Sequence, residues 1–271
     1  MIIIGEKING AIPKVRKAID ERDEAFIAGL ALKQEQAGAS YIDCCAGGDP
    51  NKELDSMKWL IGVIQRATSA PLAIDSPNAR LLAQILESGI IKQEGIVNSA
   101  SEEGDKCEVL FSAIAGSGWQ AVALCCDESG IPQDAEKRIS IALSIIEKAE
   151  SYGISQSRLH IDPAVMALSA LGSAMSDFEL CIKRIKQAAP NATVTGAISN
   201  ISFGMPYRKA ANQAAIALAI AAGLGSAILD PTDQGMQAAI YAAEALCGID
   251  KGGRKYNRAY RQGRFGRNAR N

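Results

Sequence analysis

The sequence predicts a (β/α)8 barrel, and three observations predict it. First, short apolar runs recur along the chain, each ending in one polar residue that can hydrogen-bond or titrate. They are Ile2-Ile3-Ile4-Gly5-Glu6, Tyr41-Ile42-Asp43, Pro71 to Asp75, Gly95-Ile96-Val97-Asn98, Leu159-His160-Ile161-Asp162, Thr193-Val194-Thr195-Gly196 leading to Asn200, and Ala227-Ile228-Leu229-Asp230. Second, segments of helical period separate these runs. Third, 271 residues is a length that one such barrel uses up. Active sites of this fold lie at the carboxyl ends of the strands, so the terminal polar residues are also the candidate site.

The elements follow in order. Residues 2–5 read as a buried parallel strand. A helix within 23–38 places Phe26, Ile27, Leu30 and Leu32 on or near its apolar stripe, with Gly38 after its end. A strand at 40–43 precedes a helix over 52–68, where Met57, Leu60, Ile61 and Ile64 recur at 3–4 spacing. The strand at 71–75 stops at Ser76-Pro77, and Asn78 can cap a helix over 79–88. A strand at 95–98 is followed by a helix over 105–117, then a strand from Gln120 to Cys125. Asp134 can cap the fifth helix, which carries Ile139, Ala142, Leu143 and Ile146 inward. The strand at 158–162 ends at Pro163, and a helix follows near 176–188. A strand at 193–197 leads to a helix opened by Pro206 and closed before Gly223. The last unit is a strand at 226–229 and a helix over 234–246.

Eight strand–helix units demand parallel strands and right-handed crossovers. An open doubly wound sheet is the competing topology, and it calls for a Gly-rich phosphate turn after the first strand. Gly5-Glu6-Lys7-Ile8-Asn9-Gly10 is not that turn. Residues 1–250 therefore read as one barrel domain, and 251–271 as a basic C-terminal tail. That tail holds eight Lys or Arg and no acid, leaving a net charge of −9 on residues 1–250. Its composition suits a solvated extension or an arm for an acidic partner or polyanionic ligand.

Hydrophobic residues at 48% and charged residues at 22% are ordinary for a globular protein, and the net charge of −1 argues for neither nucleic acid nor an anionic membrane. No 18-residue apolar stretch is present, and the first ten residues lack the pattern of a secretory signal. Seven cysteines, with two vicinal pairs (Cys44-Cys45 and Cys125-Cys126), match no disulfide framework. Reduced thiols in a cytoplasmic protein are the expectation.

The rim offers Asp75, Asn98, Asp162 and Asn200, with Glu6, Asp43 and Asp230 nearby. There is no serine elbow, P-loop or HExxH. The single histidine, His160, shares a strand face with Asp162 and reads first as a structural group. Carboxylates and amides without a metal motif suit a flat hydrogen-bonding heterocycle. A carboxylate accepts an adjacent N–H and NH2 in bidentate fashion, and Asn donates and accepts at once. Strand-end Asp and Asn also cap helices, so each position alone has a structural alternative.

MIIIGEKING (1–10), AIDSP (73–77), IVNS (96–99), HIDP (160–163) and GAISNISFG (196–204) resemble the pterin-binding methyltransferases, which move a methyl group between tetrahydrofolate and a corrinoid protein. Relatives of that family include the folate domain of cobalamin-dependent methionine synthase and, more distantly, dihydropteroate synthase. The resemblance covers nearly all of residues 1–245. It implies that Asp75, Asn98 and Asp162 hold the pterin and that Asn200 contacts N5, the atom bearing the methyl. Gly196, Ser199, Ser202 and Arg208 carry over as further pterin-binding positions, and Asp75 and Asn200 as catalytic ones. Phe203 departs from the polar residue frequent in the family. The resemblance also implies tetrahydrofolate as substrate, a corrinoid supplied free or by a partner protein, a homodimer and no bound metal. The direction of transfer stays open. A dihydropteroate synthase-like enzyme is one alternative, although its Asn-rich first loop and Ser-x-Arg-Pro are missing. A zinc-thiolate methyltransferase using the vicinal cysteines and a non-catalytic folate-binding subunit are the others.

Overall fold

The computed structural model describes residues 1–266. Its eight strands are β1 (Ile2–Gly5), β2 (Tyr41–Cys45), β3 (Leu72–Asp75), β4 (Ile96–Glu102), β5 (Gln120–Asp127), β6 (Leu159–Asp162), β7 (Thr193–Val194) and β8 (Ser226–Leu229). Neighbours in sequence pair in parallel from β1 to β7, and β8 pairs in parallel with β1. The ring is brought round between β7 and β8 by a bridge from Ala197 to Ile228. Gly225 N donates to Val194 O (3.1 Å) and Ile228 N to Gly196 O (3.0 Å) across the same seam. The predicted (β/α)8 barrel is the observed fold.

Around it lie α1 (Pro13–Asp20), α2 (Glu24–Gln36), α3 (Pro50–Ala67), α4 (Ala79–Glu87), α5 (Lys106–Ile114), α6 (Ala135–Ser151), α7 (Ala174–Ala188), α8 (Arg208–Ala222), α9 (Gln234–Leu246) and α10 (Arg254–Arg261). Five helices start on an Asp or Asn whose side chain accepts a backbone N–H of the first turn: Asp23, Asp49, Asn78, Asp134 and Asp233. Such caps let the chain reverse sharply at the rim, so strand ends and helix starts share one face of the barrel.

Strand alternation divides the apolar residues into two sets. Ile3, Ile42, Cys44, Ile74, Val97, Ile161, Val194, Ala227 and Leu229 pack outward into the continuous strand–helix core. Ile4, Ala73, Ile96 and Val122 form a separate cluster inside the barrel, with Tyr41 and Ile228 against it. Below this plug runs a buried polar chain. His160 meets Ser226 Oγ through Nδ1 and Gln120 Oε1 through Nε2, each at 2.8 Å, while Gln120 Nε2 donates to the Tyr41 hydroxyl (2.8 Å). The Gln120 oxygen faces Nε2, so the ring proton sits there and Nδ1 accepts from Ser226. Burial lowers the His160 pKa to about 4 and keeps the ring neutral. His160 is therefore the structural group the sequence suggested.

Several elements differ from expectation. α1 is additional; its N-cap is Ile12, whose side chain makes no capping bond, so only Pro13 signals the start. β7 is two residues long, not five. α8 begins at Arg208 after Tyr207, whose φ of 47° lies in the left-handed region, so Pro206 precedes the helix and does not open it. Leu143 is exposed, and Ile145 takes its inward place on α6. Residues 251–266 are not a solvated extension. They carry α10, and Phe265 is buried among Tyr241, Tyr256 and Tyr260. Asp250 accepts from the Lys255 and Tyr256 backbone amides at the start of that segment. The rest of the expected tail, 267–271, lies outside the described residues.

Candidate active site

The carboxyl ends of the strands open on a cavity of about 690 Å3. Asp75, Asn98, Asp162, Ser199 and Asn200 line it, joined by Glu6 and Asp43. The strands place them. Asp75 and Asn98 are register partners on β3 and β4, and Leu124 of β5 is the register partner of Asp162 on β6. Asn200 sits on a 3-10 turn, Ile198–Ser202, directly after β7.

The supporting bonds are specific. Ser76 N donates to Asn98 O (3.0 Å), and Ser76 Oγ donates to Glu53 Oε1 (2.7 Å), which fixes the turn after β3. Asp162 Oδ1 accepts from Ala164 N (2.8 Å). The fully buried Arg138 donates from Nη1 to Pro163 O (2.9 Å) and Ala164 O (3.0 Å), clamping the turn that follows β6. Asp43 Oδ1 is buried without a hydrogen-bond partner. Buried acceptors are normally satisfied, so this wall holds acceptor capacity in reserve.

Burial dominates the electrostatics. It pushes the Glu6 carboxyl up to about 7, helped by Asp230 and opposed by Lys7 and Arg208. Asp75 rises to about 6 through burial, with the Cys45 thiol hydrogen bond opposing and Glu53 adding to the rise. Asp162 rises to about 6 through burial, against the Ala164 N–H and the Arg138 charge. Asp43 is pushed well above the carboxylate range by burial and then by Asp75 and Glu6. Crowded carboxylates of this kind are costly alone and favour a ligand rich in N–H donors or positive charge.

Three predicted site residues are not among those lining the cavity. Gly196 faces outward: an added Cβ would lie 2.8 Å from Phe178 Cζ and 2.9 Å from Val165 Cγ2, so it allows close strand–helix packing. Ser202 is fully buried and accepts from Arg208 Nε (3.0 Å). Arg208 also donates from Nη2 to Ser199 O (2.7 Å). Both residues clasp the Asn200 turn from behind, because the chain doubles back into α8 at this point.

Sequence reasoning missed the rim cations. Lys7 reaches Asp230 (3.1 Å) and Lys106 reaches Glu103 (2.8 Å), and both lysines line the cavity. Their signal was weak, since each lies outside the strand alternation. The vicinal cysteines stay apart, on β2 and β5. Among the described residues, no three of His, Cys, Asp or Glu are grouped to hold a metal ion. No helix there is long and apolar enough to cross a membrane.

Fold and mouth together define a (β/α)8-barrel protein whose rim gathers carboxylates and amides around one cavity. The chain belongs to the pterin binding enzyme family, whose model matches residues 14–230. It is 45% identical to a methylcorrinoid:tetrahydrofolate methyltransferase of Eubacterium limosum, over 98% of each chain. It is 29% identical to the methionine synthase of Mycobacterium leprae over 84% of its own length but only 20% of that protein's. Among solved structures, the dihydropteroate synthase of Coxiella burnetii in complex with pteroic acid aligns at a TM-score of 0.67 and 16% identity, covering 92% and 94% of the two chains. The Yersinia pestis dihydropteroate synthase aligns at 0.65 and 15%, covering 90% and 93%. These two likenesses concern the fold alone.

Proposed function

We propose that the protein is a methyltransferase acting between a methylcorrinoid and N5 of tetrahydrofolate. The observation that carries the reaction class is the 45% identity, over 98% of both chains, to the methylcorrinoid:tetrahydrofolate methyltransferase. Its name also favours the direction: the corrinoid gives the methyl and the folate receives it. In this reading residues 1–250 are the catalytic barrel. The enzyme is a cytoplasmic homodimer that receives its corrinoid from a carrier protein, and all seven cysteines being unbridged supports a reducing compartment.

Asp75, Asn98 and Asp162 then grip the pterin edge. The 2-amino-4-oxo ring presents adjacent N–H and NH2 donors to a carboxylate, and Asn98 pairs with a ring carbonyl and N–H. Asn200 meets N5. The nitrogen lone pair forms the new N–C bond, the cobalt–carbon electron pair leaves with the corrinoid, and N5 sheds its proton. Positive charge develops on N5 as that bond forms. The preorganised field of Asp75, Asp162 and Glu6 stabilises it more in the transition state than in the ground state. The Asn200 amide oxygen can accept the N5–H, which aims the lone pair at the methyl carbon. Holding both reactants in line supplies much of the remaining acceleration.

The test is a transfer assay with free methylcobalamin and tetrahydrofolate, followed by the cobalamin absorbance. Loss of the methylcobalamin spectrum with formation of methyltetrahydrofolate is expected. Tight pterin binding with no transfer in either direction would leave a folate-binding protein instead.

A further inference from the structure

A second cavity, of about 390 Å3, lies beside the first, and Lys7 lines both. Its walls come from the second half of α2, the turn after β8 and the end of α10. Its charge balance differs from its neighbour's. Among the described residues, Lys7, Lys33 and Arg264 line it and no Asp or Glu does, whereas Glu6, Asp43, Asp75, Asp162 and Glu103 outnumber Lys7 and Lys106 in the first.

The second cavity is assembled by the basic C-terminal segment. Phe265 anchors that segment in an aromatic nest, and the adjacent Arg264 donates from Nη1 to Ala37 O (2.8 Å) at the end of α2. Arg264 also donates to the Gln262 amide oxygen (3.3 Å), and among the described residues no carboxylate pairs with it. Lys33 is exposed. Gln34 forms part of the wall. It is fully buried; Oε1 accepts from Lys7 N (3.0 Å), and Nε2 is buried with no acceptor.

We propose that this cavity is a subsite for the glutamyl carboxylates of the folate whose pterin occupies the first cavity. The proposal rests on the methyltransferase reading. A folate has two chemically opposite ends: a donor-rich ring and a tail of carboxylates, separated by a stiff aromatic amide. The tail cannot settle among the rim carboxylates without like-charge repulsion. Cations uncommitted to acidic partners, one lysine away, provide the complementary field. Lys106 is the competing route across the barrel. Glu103 already pairs with it at 2.8 Å.

The test compares KM for tetrahydrofolate carrying one or three γ-linked glutamates, in wild type and in Lys33→Glu, Arg264→Gln and Lys106→Ala. The triglutamate is expected to have a KM lower by about tenfold, the yield of two or three modest ion pairs. That ratio is expected to fall toward one in Lys33→Glu and Arg264→Gln. Equal KM values in wild type would overturn the subsite. So would a ratio unmoved by either variant, or one abolished by Lys106→Ala alone. Equilibrium binding of the same two folates separates the two readings: a triglutamate preference that depends on Lys33, without methyl transfer, would keep the subsite and end the catalytic assignment.

Discussion

Asp75 and Asn98 are register partners on adjacent parallel strands, so a carboxylate and an amide stand side by side at one level of the cavity wall. The Ser76 N to Asn98 O bond (3.0 Å) locks the two strand ends together. A fused ring bearing donors and a carbonyl along one edge meets both at once. Asp75→Asn keeps the shape and replaces an acceptor by a donor. Pterin affinity is expected to drop by about 10–100-fold, the cost of leaving buried polar groups mispaired. Equilibrium titration with tetrahydrofolate checks this, and unchanged affinity would remove Asp75 from the pterin site.

Asn200 occupies a different kind of position. It is exposed, on a turn beyond the strand, while Asp75, Asn98 and Asp162 stand on the barrel wall. Asn200→Ala is expected to leave pterin binding nearly intact and to lower kcat by about 10²–10³-fold, the usual effect of deleting one transition-state hydrogen-bonding group. Single-turnover transfer set against equilibrium binding reads the split. A parallel fall in both would make Asn200 a binding residue only.

The crowded carboxylates give the protein an unusual pH response. Burial pushes Glu6 up to about 7 and Asp75 and Asp162 up to about 6, against ordinary values of 4.5 and 3.8. From about pH 8 to pH 5 the native chain therefore binds more protons than the unfolded one, and stability rises as pH falls through that window. His160 works against this below its ordinary value of 6.5, because the unfolded chain protonates there first. Three carboxylates outweigh one imidazole. Thermal melts of the ligand-free protein are expected to peak toward pH 5, and Asp43→Asn is expected to raise Tm at pH 8. Methyl transfer runs the other way, since protonation cancels the field that steadies N5, so kcat is expected to fall over the same range. A melting temperature independent of pH would contradict the carboxylate arrangement.

Gly196 acts through packing. Gly196→Ala places a methyl against Phe178 and Val165 and pushes the seventh strand end away from α7. The expected destabilisation is about 1–3 kcal/mol by denaturant unfolding, the range for overpacked cores. Turnover is expected to fall more than pterin affinity, because the displaced segment leads directly to Asn200. Wild-type stability in this variant would refute the packing role.

Much of the architecture was legible because a polar residue breaks each apolar run at or near the strand's end. Asp75 and Asp162 mark both a strand end and the rim, whereas β2 runs past Asp43 to Cys45 and β4 past Asn98 to Glu102. The caps Asn78 and Asp134 were equally plain, since each stands immediately before a periodic segment. Less legible were elements set by tertiary packing. α1 starts on Ile12 without a side-chain cap, and α10 is highly charged yet held by Phe265. Gly196, Ser202 and Arg208 illustrate a second limit. Neighbours of a site residue in sequence need not face the same way, and here they support the turn from behind. The rim lysines were hidden because their partners, Asp230 and Glu103, lie on loops whose course the sequence does not dictate.

The stitching between β7 and β8 bears on how the enzyme moves. The other seven strand junctions each carry at least two register pairs in parallel. This one rests on a single bridge and a pair of backbone hydrogen bonds. A ring yields first where it is most thinly sewn, and the Asn200 turn hangs from that place. Backbone amides along this seam, those of Gly225 and Ile228, are expected to exchange with solvent sooner than their counterparts in the other strands.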